Sequence, residues 1–239
     1  MYPHKNLCWV CKLGLMDYLP ARMLQKALAG ARFDAKVPDL LLLLEHPPTY
    51  TLGRRAVEDH LLVSREELSR QGVEIHRVDR GGDITFHGPG QLVGYPVIHL
   101  ANRAGGAGRY LRDLEEVLIR ALAPFGVPAG RLPGFTGVWT EGGKIAAIGV
   151  KINADRVTEH GFALNLETDL RYFDQIVPCG IRGKAVTSLS RELGVRVSVE
   201  EAARTVSAAF GDVFAMSMEE VPPSRLEMFQ EEIIERAAS

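Results

Sequence analysis

Four side chains in this sequence have the types and settings that covalent chemistry requires: Cys179, Lys144, His87 and His160. Cys179 lies in Val177-Pro178-Cys179-Gly180-Ile181, a rigid-then-flexible turn that can expose a thiol and let a substrate approach the backbone. A buried, inert cysteine is the plain alternative. Either histidine beside Cys179 would make a nucleophile pair, and so would Lys144, because a nearby ammonium stabilises a thiolate. Lys144 sits at the edge of an apolar row shared with Ile148, Val150 and Ile152, where an amine has a partner or snorkels to water. A lone histidine is more often structural, and no H-x-x-x-H or acid cluster makes these two metal ligands. No G-x-x-x-x-G-K-[ST] loop announces ATP.

His87 belongs to the most unusual stretch of the chain, Arg80–Pro96, where five glycines and two prolines surround one arginine, one histidine and one glutamine. Turning a corner does not need so much backbone freedom. Glycines let the main chain come close to a ligand, and the polar side chains among them read as a built binding surface. A different pair, Cys8 and Cys11, forms C-x-x-C without a second pair to complete a zinc site. Three apart on a strand, the two point to opposite faces and cannot chelate together.

The elements that must position these residues are of ordinary globular composition. The chain has 239 residues, 46% hydrophobic and 24% charged, with net charge -2. No apolar run approaches the ~20 residues of a membrane span, and the first residues lack the apolar core of a secretory signal. Three scattered cysteines favour a reducing cytoplasm. Glu219–Ser239 holds six acids and two bases and reads as an acidic helix. Basic residues elsewhere gather in loops near glycines, among them Arg54, Arg55, Arg77, Arg80, Arg103, Arg109, Arg182 and Lys184. With a pI of about 6.4 and no basic stripe, nucleic acid is excluded, while an acidic protein partner fits.

Strands are expected at Leu7–Leu13, Asp39–Glu45, Val73–Val78 and Leu92–Leu100. Helices are expected at Asp17–Ala29, closed by Gly30, at Ser64–Gln71 with a Ser-x-x-Glu capping box, and at Arg109–Ala123. A turn-rich segment runs from His46 to Gly53, and a short helix covers Asp169–Asp174. Further helices are expected at Val199–Val213 and around Arg225–Arg236. Helices mixed with strand pairs indicate one α/β domain with a mixed sheet.

Strands Lys144–Asn153 and Val157–Leu166 flank the turn Ala154-Asp155-Arg156. In that register Lys151 faces Glu159, an opposite-charge pair, Gly149 faces Gly161, and Ala147 faces Ala163. The four small residues share one face of the sheet and leave a bare trough. Either a helix packs closely there or something long and apolar, such as an acyl chain, lies along it.

Arg80–Pro96, Lys144–Gly149, His160–Asn165 and Pro178–Ile181 together give the chain its resemblance to the lipoyl(octanoyl) transferases, over about Leu40 to Leu193. The R-G-G-x-x-T-[aromatic]-H-G-P-G-Q core is highly specific, and the G-K-x-A-A-I-G, H-G-F-A-L-N and P-C-G-I blocks agree with it. The resemblance implies an α/β (α+β) fold, a mixed sheet flanked by helices, related to the catalytic fold of biotin and lipoate protein ligases. It implies a single catalytic domain over 1–239, with a core at about 7–194 and a C-terminal helical segment at about 195–239. The implied activity moves octanoyl from octanoyl-acyl carrier protein to a lysine of lipoyl domains, with no cofactor, as the first step of endogenous protein lipoylation. The acceptors would be 2-oxoacid dehydrogenases and the glycine cleavage H protein.

Carried over by position, Cys179 is the acyl-thioester nucleophile and Lys144 the acid/base that lowers the pKa of that thiol. Substrate contacts fall on Arg80, Gly81, Gly82, Asp83, Ile84, Thr85, Phe86 and His87, on Ala147, Ile148 and Gly149, and on Gly161, Phe162 and Ala163. His160 is a candidate positioning residue, and no metal is implied. The competing reading on the same fold is an ATP-dependent lipoate ligase. Those ligases carry an acidic residue after the motif histidine, where this chain has Gly88. A non-enzymatic binder of carrier domains is the third class.

Overall fold

Five consecutive leucines, Leu40–Leu44, give a strand no polar side to show to water. In the computed structural model of the protein they form β2 (Asp39–Glu45), buried on both faces. The structure describes residues 6–102, 105–177 and 185–229. β2 sits within an eight-stranded sheet. Its spatial order is β11 (Ser217–Glu220), β1 (Leu7–Leu15), β2, β6 (Gln91–Val97), β10 (Thr158–Asn165), β9 (Gly143–Ile152), β8 (Phe135–Thr140) and β7 (Gly130–Leu132). β1 pairs parallel with β2 and β11, and the other neighbours are antiparallel. A second sheet has the order β4 (Glu74–Arg77), β3 (Thr49–Leu52), β5 (Ile84–His87).

Helices cover both faces of the large sheet. On one face α1 (Tyr18–Phe33) buries Leu24 and Leu28 in a core with Trp9, Leu42, Val93 and Val97. On the other, α3 (Gly106–Leu122) and α5 (Val199–Phe214) bury Leu118 and Phe210 with Val10, Leu41 and Phe162. Cys8 and Cys11 fall into opposite cores, as strand alternation requires. A third cluster under the small sheet gathers Tyr50, Leu68, Ile84, Phe86 and Phe173. The two short helices are α2 (Arg65–Arg70), capped by the Ser64 hydroxyl accepting from Glu67 N–H, and α4 (Leu189–Leu193).

Several local expectations change. Gly30 does not close α1, which runs on to Phe33. An exposed helical glycine costs about 1 kcal/mol relative to alanine, less than burial of the flanking Ala29 and Ala31 and the rest of that face returns. Half of the turn-rich segment and the centre of the glycine-rich stretch are strands, β3 and β5, paired from Thr49↔His87 to Leu52↔Ile84. Glu219 and Glu220 extend along β1 in β11, not in a helix, and Lys12 meets Glu220 at 3.0 Å. The helix expected around Arg225–Arg236 starts as a 3-10 turn at Pro223–Leu226, and residues from 230 on lie outside the described ones. Among the described residues, no helix is long and apolar enough to cross a membrane.

The β9–β10 hairpin keeps the expected register, with Lys151↔Glu159, Gly149↔Gly161 and Ala147↔Ala163. Lys151 Nζ lies 3.2 Å from the Glu159 carboxylate. This register sets the four small residues side by side.

Candidate active site

Ala147, Gly149, Gly161 and Ala163 form one wall of a slot of about 50 Å³. The slot is closed by Ile84, Thr85 and His87 of β5, by Arg80 and Gly82 of the preceding loop, and by Tyr18 and Tyr95. Ile148, Phe162, His160 and Lys144 complete its lining. The helix packing expected along the trough is present at one end only. Ala163 is covered within the α1-side core, whereas Gly149 stays open to the loop. A Cβ on Gly149 would lie 3.0 Å from Arg80 Cδ and from Gly81 O, so the loop approaches that strand as only glycine allows.

Arg80 holds the loop in place. Its guanidinium is buried and donates to Thr51 O at 2.6 Å, to Thr51 Oγ1 at 2.9 Å and to Gly81 O at 3.0 Å. Gly81 N–H donates to Val150 O at 2.9 Å, which fastens the loop to β9. Asp83 does not face the slot. One of its oxygens meets His60 Nδ1 at 2.6 Å and the other accepts from Ile84 N–H. Phe86 also turns away: on β5 it has the parity opposite to Thr85 and His87, and its ring stacks on Tyr172 at 4.3 Å.

The hydrogen-bond network fixes the His87 ring. Gln91 Nε2 donates to Phe86 O and Asn165 Oδ1, so Gln91 Oε1 accepts from His87 Nδ1 at 2.8 Å. That leaves His87 Nε2 as an acceptor, 3.4 Å from Thr51 Oγ1, whose own lone pairs already take Arg80. His46 is fixed in the same way, its Nδ1 donating to Met16 O and its Nε2 accepting from the Tyr95 hydroxyl. His160 adopts φ +60, a left-handed conformation unusual within a strand. Its N–H donates to Gln25 Oε1, and its Nε2 lies 3.0 Å from Asp79 Oδ1. Burial alone would raise the Asp79 carboxyl. Hydrogen bonds from Lys151 and His160 and the Arg22 charge reverse this and hold it well below the carboxylate range.

Burial, reinforced by neighbouring His46, pushes His87 down to about 3, and burial takes His46 and His160 to about 4. The unfolded chain binds protons on these rings at about pH 6.5, while the folded protein refuses them until pH falls further. Stability is therefore fully present above about pH 6.5 and is lost as pH drops toward 4 and then 3. Denaturant unfolding should show a weaker fold at pH 5 than at pH 7, by at most about 2 kcal/mol per histidine. Equal stabilities at the two pH values would contradict neutral imidazoles here.

Lys144 is half-buried, and its ammonium lies 5.5 Å from the centre of the Trp139 ring. Its N–H donates to Ala185 O at 2.9 Å, and its carbonyl accepts from Thr187 N–H at 3.0 Å. Lys144, Gly82, Ile148 and Gly149 line the slot and also a wider cleft of about 730 Å³ on the α3 side of β9. Cys179 lies outside the described residues. On either side of it in sequence, Val177 N–H donates to His60 O and Ala185 O accepts from Lys144. Among the described residues, no group of three or more His, Cys, Asp or Glu is arranged to hold a metal ion.

Tyr18 and Tyr95 escaped the sequence reading. Tyr95 lies inside Arg80–Pro96, where glycines dominate the local pattern, and Tyr18 is the first residue of α1 with no motif around it. Tyr18 stacks on His76 and His87, and burial pushes its hydroxyl up to about 12.

The Lipoyl protein ligase A/B catalytic domain family matches residues 17–211. An octanoyltransferase of Rubrobacter xylanophilus is 53% identical over 201 residues, covering 84% of this chain and 90% of that protein. An octanoyltransferase of Chloroflexus aurantiacus is 50% identical over 206 residues, covering 85% and 92%. A chain from the structural study of a bi-partite lipoate protein ligase and its E2 lipoyl domain from Thermoplasma acidophilum superposes with TM-score 0.74. That match is 16% identical and covers 96% of this chain and 92% of the other, a likeness of fold.

Proposed function

The chain belongs to the Lipoyl protein ligase A/B catalytic domain family and, within it, to the octanoyltransferases, and on that premise we propose how it moves its acyl group. The donor is octanoyl-acyl carrier protein. The acceptor is a lysine of lipoyl domains, in 2-oxoacid dehydrogenases and the glycine cleavage H protein. The observation that carries this reading is identity of 50% and above, over most of the chain, to proteins named octanoyltransferase. A slot walled by small residues and bordered by Lys144 supports it.

The Cys179 thiolate attacks the donor thioester carbonyl, a new thioester forms on Cys179, and the donor sulfur leaves. Lys144, as an ammonium, stabilises the thiolate and gives its proton to the departing sulfur. Left as an amine, it takes a proton from the acceptor lysine as that lysine attacks the Cys179 thioester. An amide forms and the thiolate returns; the first step trades one thioester for another and the second runs downhill to an amide, so neither needs ATP. Arg80, Gly81 and Gly82 with Thr85 and His87 hold the acyl group on one side, and Ala147–Gly149 with Gly161–Ala163 hold it on the other. His160, braced by Asp79, is a positioning residue.

An ATP-dependent ligase is the second reading, favoured by the fold shared with a lipoate protein ligase. Incubation with octanoyl-acyl carrier protein and a lipoyl-domain acceptor separates the two. Transfer without ATP is expected. Transfer from free octanoate that strictly requires ATP would decide for the ligase.

A further inference from the structure

The cleft beyond the slot has two unlike parts. Its floor is the outward row of β9, Ile148, Val150 and Ile152, joined by Leu111 of α3 and Phe135 of β8. Arg54 and Arg55, both exposed, also line it. Among the described residues, most surface arginines are neutralised: Arg65 and Arg77 by Glu58, Arg109 by Asp113, Arg120 by Glu116. Among the described residues, neither Arg54 nor Arg55 has a carboxylate within ion-pair distance. Two consecutive arginines that line the same cleft, without a carboxylate partner among the described residues, give that rim of the apolar channel an uncompensated positive charge.

Their backbone is not adventitious. Gly53 N–H donates to Asp83 O, Arg54 N–H to Arg80 O and Arg55 N–H to Gly82 O, so the pair rides on the loop that walls the slot. Gly53 permits that lacing, since a Cβ there would sit 2.6 Å from Gly82 O. A molecule with its acyl chain in the slot and its carbonyl at Lys144 has its remaining length directed into the cleft, because the two spaces share Gly82, Lys144, Ile148 and Gly149.

We propose that Arg54 and Arg55 bind the phosphodiester at the far end of the donor's pantetheine-type arm, the arm itself lying along Ile148, Val150 and Ile152. The proposal rests on the transferase reading above. The chemistry fits the occupant: an extended thioester arm is largely uncharged along its length and anionic at the end where it joins its carrier. Guanidinium forks bind phosphate oxygens in paired hydrogen bonds, which makes a phosphate the anion that two neighbouring arginines serve best.

The test compares octanoyl-phosphopantetheine with octanoyl-pantetheine, which lacks the phosphate, as donors to a lipoyl-domain acceptor without ATP. The wild-type protein should prefer the phosphorylated donor by about ten-fold or more in kcat/KM. In the double variant Arg54→Gln/Arg55→Gln that preference should fall below about three-fold, while Arg204→Gln, a charge control on α5, should keep it. The ratio of the two donors within one protein cancels any loss of folded material. A double variant that keeps the full preference would overturn the proposal, as would a wild type with none. Retained preference with weaker transfer from the intact acyl carrier protein would assign the arginines to acidic side chains of the carrier instead. No transfer from either donor would overturn the transferase reading itself, an outcome distinct from transfer without preference.

Discussion

Cys179→Ser should lower octanoyl transfer by about 10³-fold or more and leave no covalent octanoyl adduct on the protein. Serine keeps the shape of the side chain and removes the chemistry. A hydroxyl stays protonated at neutral pH, and in the proposed mechanism the Lys144 ammonium that would stabilise a thiolate could not generate an alkoxide to the same extent. The loss should fall on kcat, since the residues assigned to the acyl chain are untouched. The other cysteines offer no substitute: Cys8 and Cys11 are buried, and burial with the neighbouring Glu220 pushes the Cys11 thiol up to about 11. Transfer by the Cys179→Ser protein within ten-fold of wild type would mean that the acyl group passes directly from donor to acceptor.

Lys144→Gln should lower kcat by about 10²- to 10⁴-fold with a smaller change in KM for the donor. The glutamine keeps most of the side-chain bulk beside Trp139 but can neither protonate the departing sulfur nor accept the proton of the incoming lysine. A second readout separates this role from a structural one. Alkylation of Cys179 by iodoacetamide should shift to higher pH in Lys144→Gln, because the ammonium that favours the thiolate is gone. An unchanged alkylation profile, with kcat within ten-fold of wild type, would remove Lys144 from the reaction and leave it as a side chain resting on Trp139.

What the sequence disclosed of this site was carried by short-range pairing rules. The turn at Ala154-Asp155-Arg156, supported by the opposite charges of Lys151 and Glu159, sets the β9–β10 register and so aligns Ala147, Gly149, Gly161 and Ala163. What it hid depends on partners far along the chain. β5 reads as loop because its neighbours are glycines, and only pairing with β3 makes it a strand. β7 and β8 were missed for the same reason: Gly130, Pro133, Gly134 and Gly137 suppress any local strand signal, and β8 exists by pairing with β9. Phe86 was placed with the substrate contacts because the motif is contiguous in sequence. A strand cannot turn consecutive side chains to one face, and Phe86 belongs to the cluster of Tyr50, Tyr172 and Phe173. Tyr18, His46 and Asp79 reach the site or its supports from three separate elements, a convergence no local pattern announces.

The central claim is a covalent octanoyl thioester on Cys179, and intact-mass and peptide-mapping spectrometry tests it most directly. The wild-type protein is mixed with octanoyl-acyl carrier protein without acceptor and without ATP, then quenched in acid. The expected result is a mass gain of one octanoyl group, mapped to Cys179 and discharged when a lipoyl domain is added. A protein that transfers octanoyl to the lipoyl domain yet gains no mass, or gains it at another residue, would contradict the account.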